Sequence, residues 1–491
     1  MTTNSKIRVR FCPSPTGDPH VGMIRTALFN WAFARKNNGT FVFRIEDTDA
    51  ARDSEDSFKA LLAAMRWLNL DWDEGPEVGG PHGPYRQSER KDIYSPIAKD
   101  LLENGFAYNC YCSQEETSER SKALQAQGKA SGYDGFCREL SDEKIAEFKS
   151  LHRVPVIRFR MPDKPITFND LIRGEITFQP EHVPDYVIVR ANGEALYPLV
   201  NPIDDALMQI THVLRGEDLL SSTPRQIALY EAFSSIGVGN GTIPEFGHLP
   251  YVMGEQNKKL SKRDPQSSLS LYKSEGFLPE GLMNYLGLLG WSFGEDREFF
   301  SMKEMADNFD IARVSANPAR FDIKKCTAIN ADWIRSLSTQ DLADRLLPFL
   351  VGAGYSVENK ERALILQAIP LIQERMETLS QAVGMLRFLL ENDEEFAIES
   401  ADLSQVQSAE SKTVLTKVIE QLTGLEDWKT QVLHDKLNDV LVQEMGLKPR
   451  LAFTPIRVAI TGRRVSPPLF ESMELLGKQS CLSRISKALM V

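Results

Sequence analysis

The chain has 491 residues, 42% apolar and 25% charged, with a net charge of −11; this is the make-up of a globular protein of roughly three domains. No stretch approaches the ~20 apolar residues that span a bilayer, and residues 1–6 lack the apolar core of a signal segment, so a cytoplasmic location with no membrane partner is expected. Six cysteines in so long a chain argue against a disulfide scaffold, and the acidic balance argues against non-specific coating of nucleic acid while allowing a local basic surface.

Ile7, Val9 and Phe11 alternate with Lys6, Arg8 and Arg10, which predicts a strand. Prolines and Gly17 then force a turn. After His20, apolar residues at Ile24, Leu28, Trp31 and Ala32 share one helix face, and Asn37-Asn38-Gly39 stops the helix. Phe41, Val42, Phe43 and Ile45 form a second strand that runs into Glu46-Asp47-Thr48-Asp49. In a strand–turn–helix–strand unit the strands are parallel and ligands sit at their carboxyl ends, so His20 and Glu46 are expected on one rim. The turn contains neither Gly-x-Gly-x-x-Gly nor Gly-x-x-x-x-Gly-Lys-Ser/Thr, so a dinucleotide dehydrogenase or a P-loop enzyme has no support. It does offer His20, Gly22 and a helix start, whose N–H groups suit an anion.

Ser54–Leu70 reads as a helix capped by Ser54, 71–85 as a loop, and a further helix follows Ser88 through Ile93, Ile97 and Leu101 to Asn104-Gly105. Short strands at Val154–Arg160, Ile166–Phe168, Ile176–Phe178 and Tyr186–Arg190 break the alternation. Asn192-Gly193 predicts a type I′ turn into a strand at Ala195–Val200. Residues 90–195 therefore read as an insertion in a nucleotide-binding fold. The alternation returns with a strand at Thr211–Arg215 and a helix capped by Thr223 ahead of Pro224. From about residue 331 the pattern is helical, at Ser338–Ala353, Glu361–Leu390 and Ser411–Leu422. Such a tail is either a packing or dimer module or an RNA-binding cage.

Lys258-Lys259-Leu260-Ser261-Lys262-Arg263 on its own is a lysine-rich segment, more often a solvated loop than a site. Together with Pro13-Ser14-Pro15-Thr16-Gly17, His20 and Gly22, it resembles the two signatures of class I aminoacyl-tRNA synthetases, most closely the bacterial glutamyl-tRNA synthetase family. The likeness runs through Arg44–Asp49, Gly83–Ser88, Asp185-Tyr186, Leu214–Asp218 and Glu275–Pro279, covering essentially the whole chain, more loosely after about residue 330. It implies an α/β fold: a Rossmann-type parallel sheet split by an α+β insertion, followed by an all-α anticodon-binding region. The implied domains are 1–89 and 196–253 (catalytic halves), 90–195 (acceptor end), 254–335 (stem contact) and 336–491 (anticodon).

The implied activity is ATP-dependent attachment of L-glutamate to tRNA through a glutamyl-adenylate, with Mg²⁺, activation requiring bound tRNA, and a monomeric enzyme. By the same resemblance His20, Gly22, Lys262 and Arg263 are catalytic, and Thr16, Gly17, Lys259, Leu260 and Ser261 join them around ATP. Arg10, Ser14, Glu46, Tyr197, Asn201 and Arg215 surround the amino acid. These residue types match such a ligand, because arginines grip carboxylates bidentately and Glu46 answers the ammonium. Met23 replaces a second signature histidine, and Cys12 stands where small residues are usual.

Half of the cysteines lie at Cys110, Cys112 and Cys137, a spacing similar to zinc sites of bacterial glutamyl enzymes. Glu139 stands where those sites have histidine, and three thiolates with a carboxylate suit a tetrahedral structural zinc. Glutaminyl-tRNA synthetase is the near alternative, opposed by the helical tail and Arg215. A nucleotidyltransferase of a small substrate would not need that tail.

Overall fold

The computed structural model describes residues 6–48, 52–254, 258–260 and 264–491. The chain forms two compact units, Met1–Ser270 with Met283–Ile323, and Leu271–Leu282 with Lys324–Val491.

In the first unit, β1 (Arg8–Phe11), α1 (Val21–Lys36) and β2 (Thr40–Phe43) form the expected crossover, with β1 and β2 parallel from Arg8↔Thr40 to Phe11↔Phe43. All four residues of β2 are buried, as befits a parallel strand covered on both faces. The helices α2 (Glu55–Trp67) and α3 (Lys91–Glu103) follow; Ser54 caps the first by accepting the Ser57 N–H. Then β3 (Ala107–Cys110), α4 (Gln114–Ala126), α5 (Asp142–Ser150), β4 (Val156–Phe159), β5 (Ile166–Asp170), β6 (Gly174–Phe178) and β7 (Tyr186–Val189) make up most of the predicted insertion. Its strands divide between two sheets. β3, β4 and β7 pair antiparallel, while the β5–β6 hairpin reaches over to the main sheet.

Next come α6 (Tyr197–Leu207), β8 (His212–Gly216), α7 (Thr223–Ile236), β9 (Glu245–Leu249), β10 (Val252–Met253) and β11 (Ala319–Arg320). β8 and β9 are parallel, and β9 meets β5 at Asp170↔Phe246. β1 lies beside the start of β8, where the Thr211 N–H donates to Arg8 O at 2.9 Å and the Arg8 N–H to Thr211 Oγ1 at 2.8 Å. The carboxyl ends of β1, β2, β8 and β9 thus converge on one rim.

Three local expectations are corrected. Residues 195–200 are not a strand: Pro198 stands in the first turn of α6, which buries Leu199, Val200, Ile203 and Ala206. The preceding loop has three residues, with Gly193 N–H on Arg190 O and Arg190 N–H on Glu194 O, both 2.9 Å, and only Gly193 at positive φ. This is a type I turn closed by a left-handed glycine, not a type I′ turn. Thr223 is the first residue of α7 and not its cap; its hydroxyl is turned to the side chain of Arg215.

The second unit is helical, and among its described residues no strand occurs. The predicted helix over Glu361–Leu390 is two, Asn359–Ile372 and Gln381–Leu390. Between them the chain leaves helical geometry to bury Met376 and Leu379, and the Leu379 N–H donates to Gly276 O at 2.9 Å. Buried Arg484 links separate segments of the unit, donating to Asp393 Oδ1 (2.7 Å) and to the carbonyls of Phe388 and Ile460 (2.9 and 3.0 Å). Among the described residues no helix is long and apolar enough to cross a membrane.

Candidate active site

A cavity of about 460 Å³ opens at the convergent strand ends of the first unit. Of the residues expected around ATP or the amino acid, Arg10, His20, Gly22, Glu46, Tyr197, Arg215, Lys259 and Leu260 line it. Asn201 joins through Glu46, donating from Nδ2 to Oε1 at 2.6 Å. Ser14, Thr16 and Gly17 lie on the turn after β1 and are not part of the wall; Ser14 is exposed, and the Gly17 N–H is occupied by Ser57 Oγ at 2.9 Å. Ser261, Lys262 and Arg263 lie outside the described residues.

His20 is the N-cap of α1, and its Nδ1 accepts the Met23 N–H at 3.2 Å. A neutral ring in that role carries its proton on Nε2. A Cβ at position 22 would stand 3.3 Å from His20 Nδ1, so glycine is what leaves the ring its seat. Lys259 Nζ lies 3.4 Å from Asp218 Oδ2 and 4.2 Å above the Tyr251 ring, which keeps the ammonium at the cavity mouth.

The end of the cavity expected to take the amino acid is a buried charge network. Arg44 donates to Glu46 Oε1 at 3.0 Å and to Asp205 Oδ1 at 2.7 Å, and Arg10 Nε reaches Asp205 Oδ2 at 3.2 Å. Burial pushes the Asp205 carboxyl up, but Arg10 and Arg44 pull harder and hold it below its ordinary range. Burial raises Glu46, opposed by Arg44 and Asn201. Burial also pushes the Cys12 thiol up to about 12, so it stays neutral.

Arg215 differs from its neighbours. Its Nε donates to His248 Nε2 (3.1 Å), Nη1 to Gln226 Oε1 (2.7 Å), and Nη2 to Thr223 Oγ1 (2.8 Å) and Leu219 O (3.2 Å). All four acceptors are neutral, and no carboxylate among the described residues pairs with it, although it is only 4% exposed. Burial accordingly lowers its pKa. One Nη1 proton remains for a ligand, so Arg215 in this state does not offer the two-pronged grip expected from its residue type. Both Nη atoms of Arg10 are left over from its Asp205 contact.

Several wall or support residues are not foreseen from sequence. Arg25, on α1, lines the cavity, bonded to the carbonyls of Leu289 (2.6 Å) and Pro250 (2.8 Å). Asp205, Gln226 and His248 orient the arginines. The usable signal is polarity out of place: Asp204-Asp205 on an apolar helix and His248 on an apolar strand.

Away from the cavity, the ligand atoms of Cys110, Cys112 and Cys137 lie within 4.8 Å of one another. Glu139 does not join them, which corrects the expected fourth ligand. It pairs with Arg160 at 2.6 Å, its side chain 82% exposed. The Tyr133 hydroxyl lies 3.4 Å from Cys110 Sγ and 3.8 Å from Cys112 Sγ.

Residues 6–328 match the family of class I tRNA synthetase catalytic domains (E and Q), and residues 341–489 match an anticodon binding domain. The chain is 57% identical to a glutamate–tRNA ligase of Streptomyces coelicolor over 99% of its length and 98% of that protein's. It is 56% identical to one of a Nocardioides species, covering 98% of each. The crystal structure of a glutamate tRNA ligase from Elizabethkingia meningosepticum in complex with its amino acid superposes with a TM-score of 0.85 at 32% identity, covering 99% of this chain and 100% of that one.

Proposed function

Because the chain belongs to the glutamate–tRNA ligase family of class I tRNA synthetases, we propose that its cavity activates L-glutamate with ATP and passes the glutamyl group to tRNA. ATP enters as its Mg²⁺ complex; Mg²⁺ keeps most of its water and rides on phosphates, which suits a cavity whose only lining carboxylates, among the described residues, are Glu46 and Asp218. The α-carboxylate of glutamate attacks the α-phosphorus, pyrophosphate leaves, and a ribose hydroxyl at the tRNA end then displaces AMP from the acyl carbon.

The observation that carries the choice of substrate is the uncompensated charge of Arg215. With the α-carboxylate turned to ATP, this buried guanidinium without a counter-ion favours a ligand whose side chain brings a carboxylate, and the neutral amide of glutamine would leave it unneutralised. Arg10 offers its Nη atoms beside it, Glu46 and Tyr197 face the ammonium, and Asn201 holds Glu46. His20 Nε2–H and the α1 start meet the phosphates, with Lys259 at the mouth. By family resemblance Lys262 and Arg263 act on the pyrophosphate side. ATP–pyrophosphate exchange with glutamate or glutamine, with and without tRNA, tests the reading: exchange with glutamate alone, dependent on tRNA, supports it, and exchange driven by glutamine contradicts it.

We further infer that Cys110, Cys112 and Cys137 hold a structural zinc with Tyr133 in the fourth position. A set rich in thiolates favours zinc over magnesium, and the ion would brace the segment between β3 and α5 with no part in activation.

A further inference from the structure

Arg215 is held by a buried pair from two other strands. Asp170 ends β5 and His248 lies in β9; they are 1% and 0% exposed. Asp170 Oδ1 accepts the backbone N–H groups of Ile172 and Arg173, both at 3.0 Å, and of His248 at 3.3 Å. Its Oδ2 lies 2.5 Å from His248 Nδ1. Burial pushes this carboxyl up, but His248 and the backbone donors hold it below its ordinary range.

An ionised carboxylate only accepts hydrogen bonds, so Nδ1 carries the His248 proton and Nε2 is left as an acceptor. Arg215 Nε only donates, and it stands 3.1 Å from that Nε2. The Thr223 hydroxyl, also 3.1 Å from Nε2, fits the same assignment: it accepts from Arg215 Nη2 and donates to the ring. In the other tautomer two N–H groups would face each other across the Arg215 contact.

We propose that Asp170 and His248 are positioning residues for the substrate-binding arginine: Asp170 fixes the His248 tautomer, and Nε2 fixes the rotation of the Arg215 guanidinium so that its remaining proton faces the cavity. A guanidinium oriented before the ligand arrives loses less freedom on binding. The inference rests on the reading of Arg215 as the partner of a glutamate carboxylate. It also gives the β5–β6 hairpin a role in the active site through one side chain.

Asp170→Asn tests it in the full-length enzyme with tRNA. Asparagine keeps Oδ1 for the backbone donors and places an NH₂ on Nδ1, which moves the ring proton to Nε2. The glutamate KM is expected to rise about 10–100-fold, the worth of one hydrogen bond to a charged group, with the ATP KM and the kcat at saturating glutamate unchanged. ¹⁵N shifts of His248 should report Nδ1–H in the parent and Nε2–H in the variant. His248→Gln, whose Oε1 reaches the acceptor position, should retain most of the affinity, and His248→Leu should lose it. An unchanged glutamate KM in Asp170→Asn or His248→Leu, while Arg215→Ala raises it, overturns the positioning role alone. An unchanged KM in Arg215→Ala overturns the reading beneath it as well. If Asp170→Asn does not fold, the parent decides, because an Nε2–H ring there contradicts the proposal outright.

Discussion

Arg10 Nε lies 3.2 Å from Asp205 Oδ2 in the cavity wall, and both side chains are almost wholly buried. Arg44 shares the same carboxylate at 2.7 Å and also meets Glu46 at 3.0 Å, so Asp205 bridges two arginines. Asp205→Asn should therefore cost about 3–5 kcal/mol of stability, the usual result of leaving buried charge without its partner. The folded-state pKa of Asp205 is depressed, so its contribution is complete above the unfolded value of about 3.9 and is lost as pH falls through the lower folded value. Urea midpoints of the parent and Asp205→Asn should converge below about pH 4. A gap that stays constant down to acid pH would show that the carboxylate's charge is not what matters.

Gly22 makes room for the His20 ring. Gly22→Ala places a methyl 3.3 Å from Nδ1, pushing the imidazole off its seat at a cost of about 0.5–1.5 kcal/mol, or roughly 2- to 10-fold in kcat. The glutamate KM should hold, because the end of the cavity around Arg215 and Glu46, proposed for the amino acid, is untouched. Steady-state exchange kinetics check this, and a change confined to the glutamate KM would contradict the assignment of His20 to the phosphates.

Lys262 lies outside the described residues, and its role comes from the second signature. As a cation that meets charge developing on the phosphates, its loss in Lys262→Ala should reduce kcat by about 10²–10³-fold with little change in glutamate KM. Near-parental exchange by the variant would remove it from the mechanism.

Protein purified without chelator should contain about one equivalent of zinc by elemental analysis, since a closed structural site binds too tightly to be lost. Cys137→Ser should lose the metal, Tyr133→Phe should weaken it, and Glu139→Gln should leave it alone. Less than about a tenth of an equivalent in the parent would dismiss the site.

The sequence was most legible where local rules and fold agree. Ile7–Phe11, the His20 turn and Phe41–Ile45 yielded strand, helix start and parallel partner because periodicity, proline and glycine pointed the same way. It was less legible where tertiary demands won. Pro198 stands in the first turn of a helix where a strand was expected, and Met376, expected within a helix, lies extended between two and is buried. The supports of Arg215 were hidden for another reason: Asp170, Thr223, Gln226 and His248 are spread over three elements, β5, α7 and β9, and no local pattern announces that they meet. Glu139 sits at the expected ligand spacing, yet Arg160 holds it on the surface.

The claim that Arg215 selects an anionic side chain is tested most directly by exchange kinetics of Arg215→Ala with glutamate and glutamine in the presence of tRNA. Truncating one member of a buried charge contact should raise the glutamate KM about 10²–10³-fold, leave the ATP KM as it was, and collapse the preference for glutamate over glutamine. A variant that still separates the two amino acids as well as the parent does would place the selecting charge on another residue.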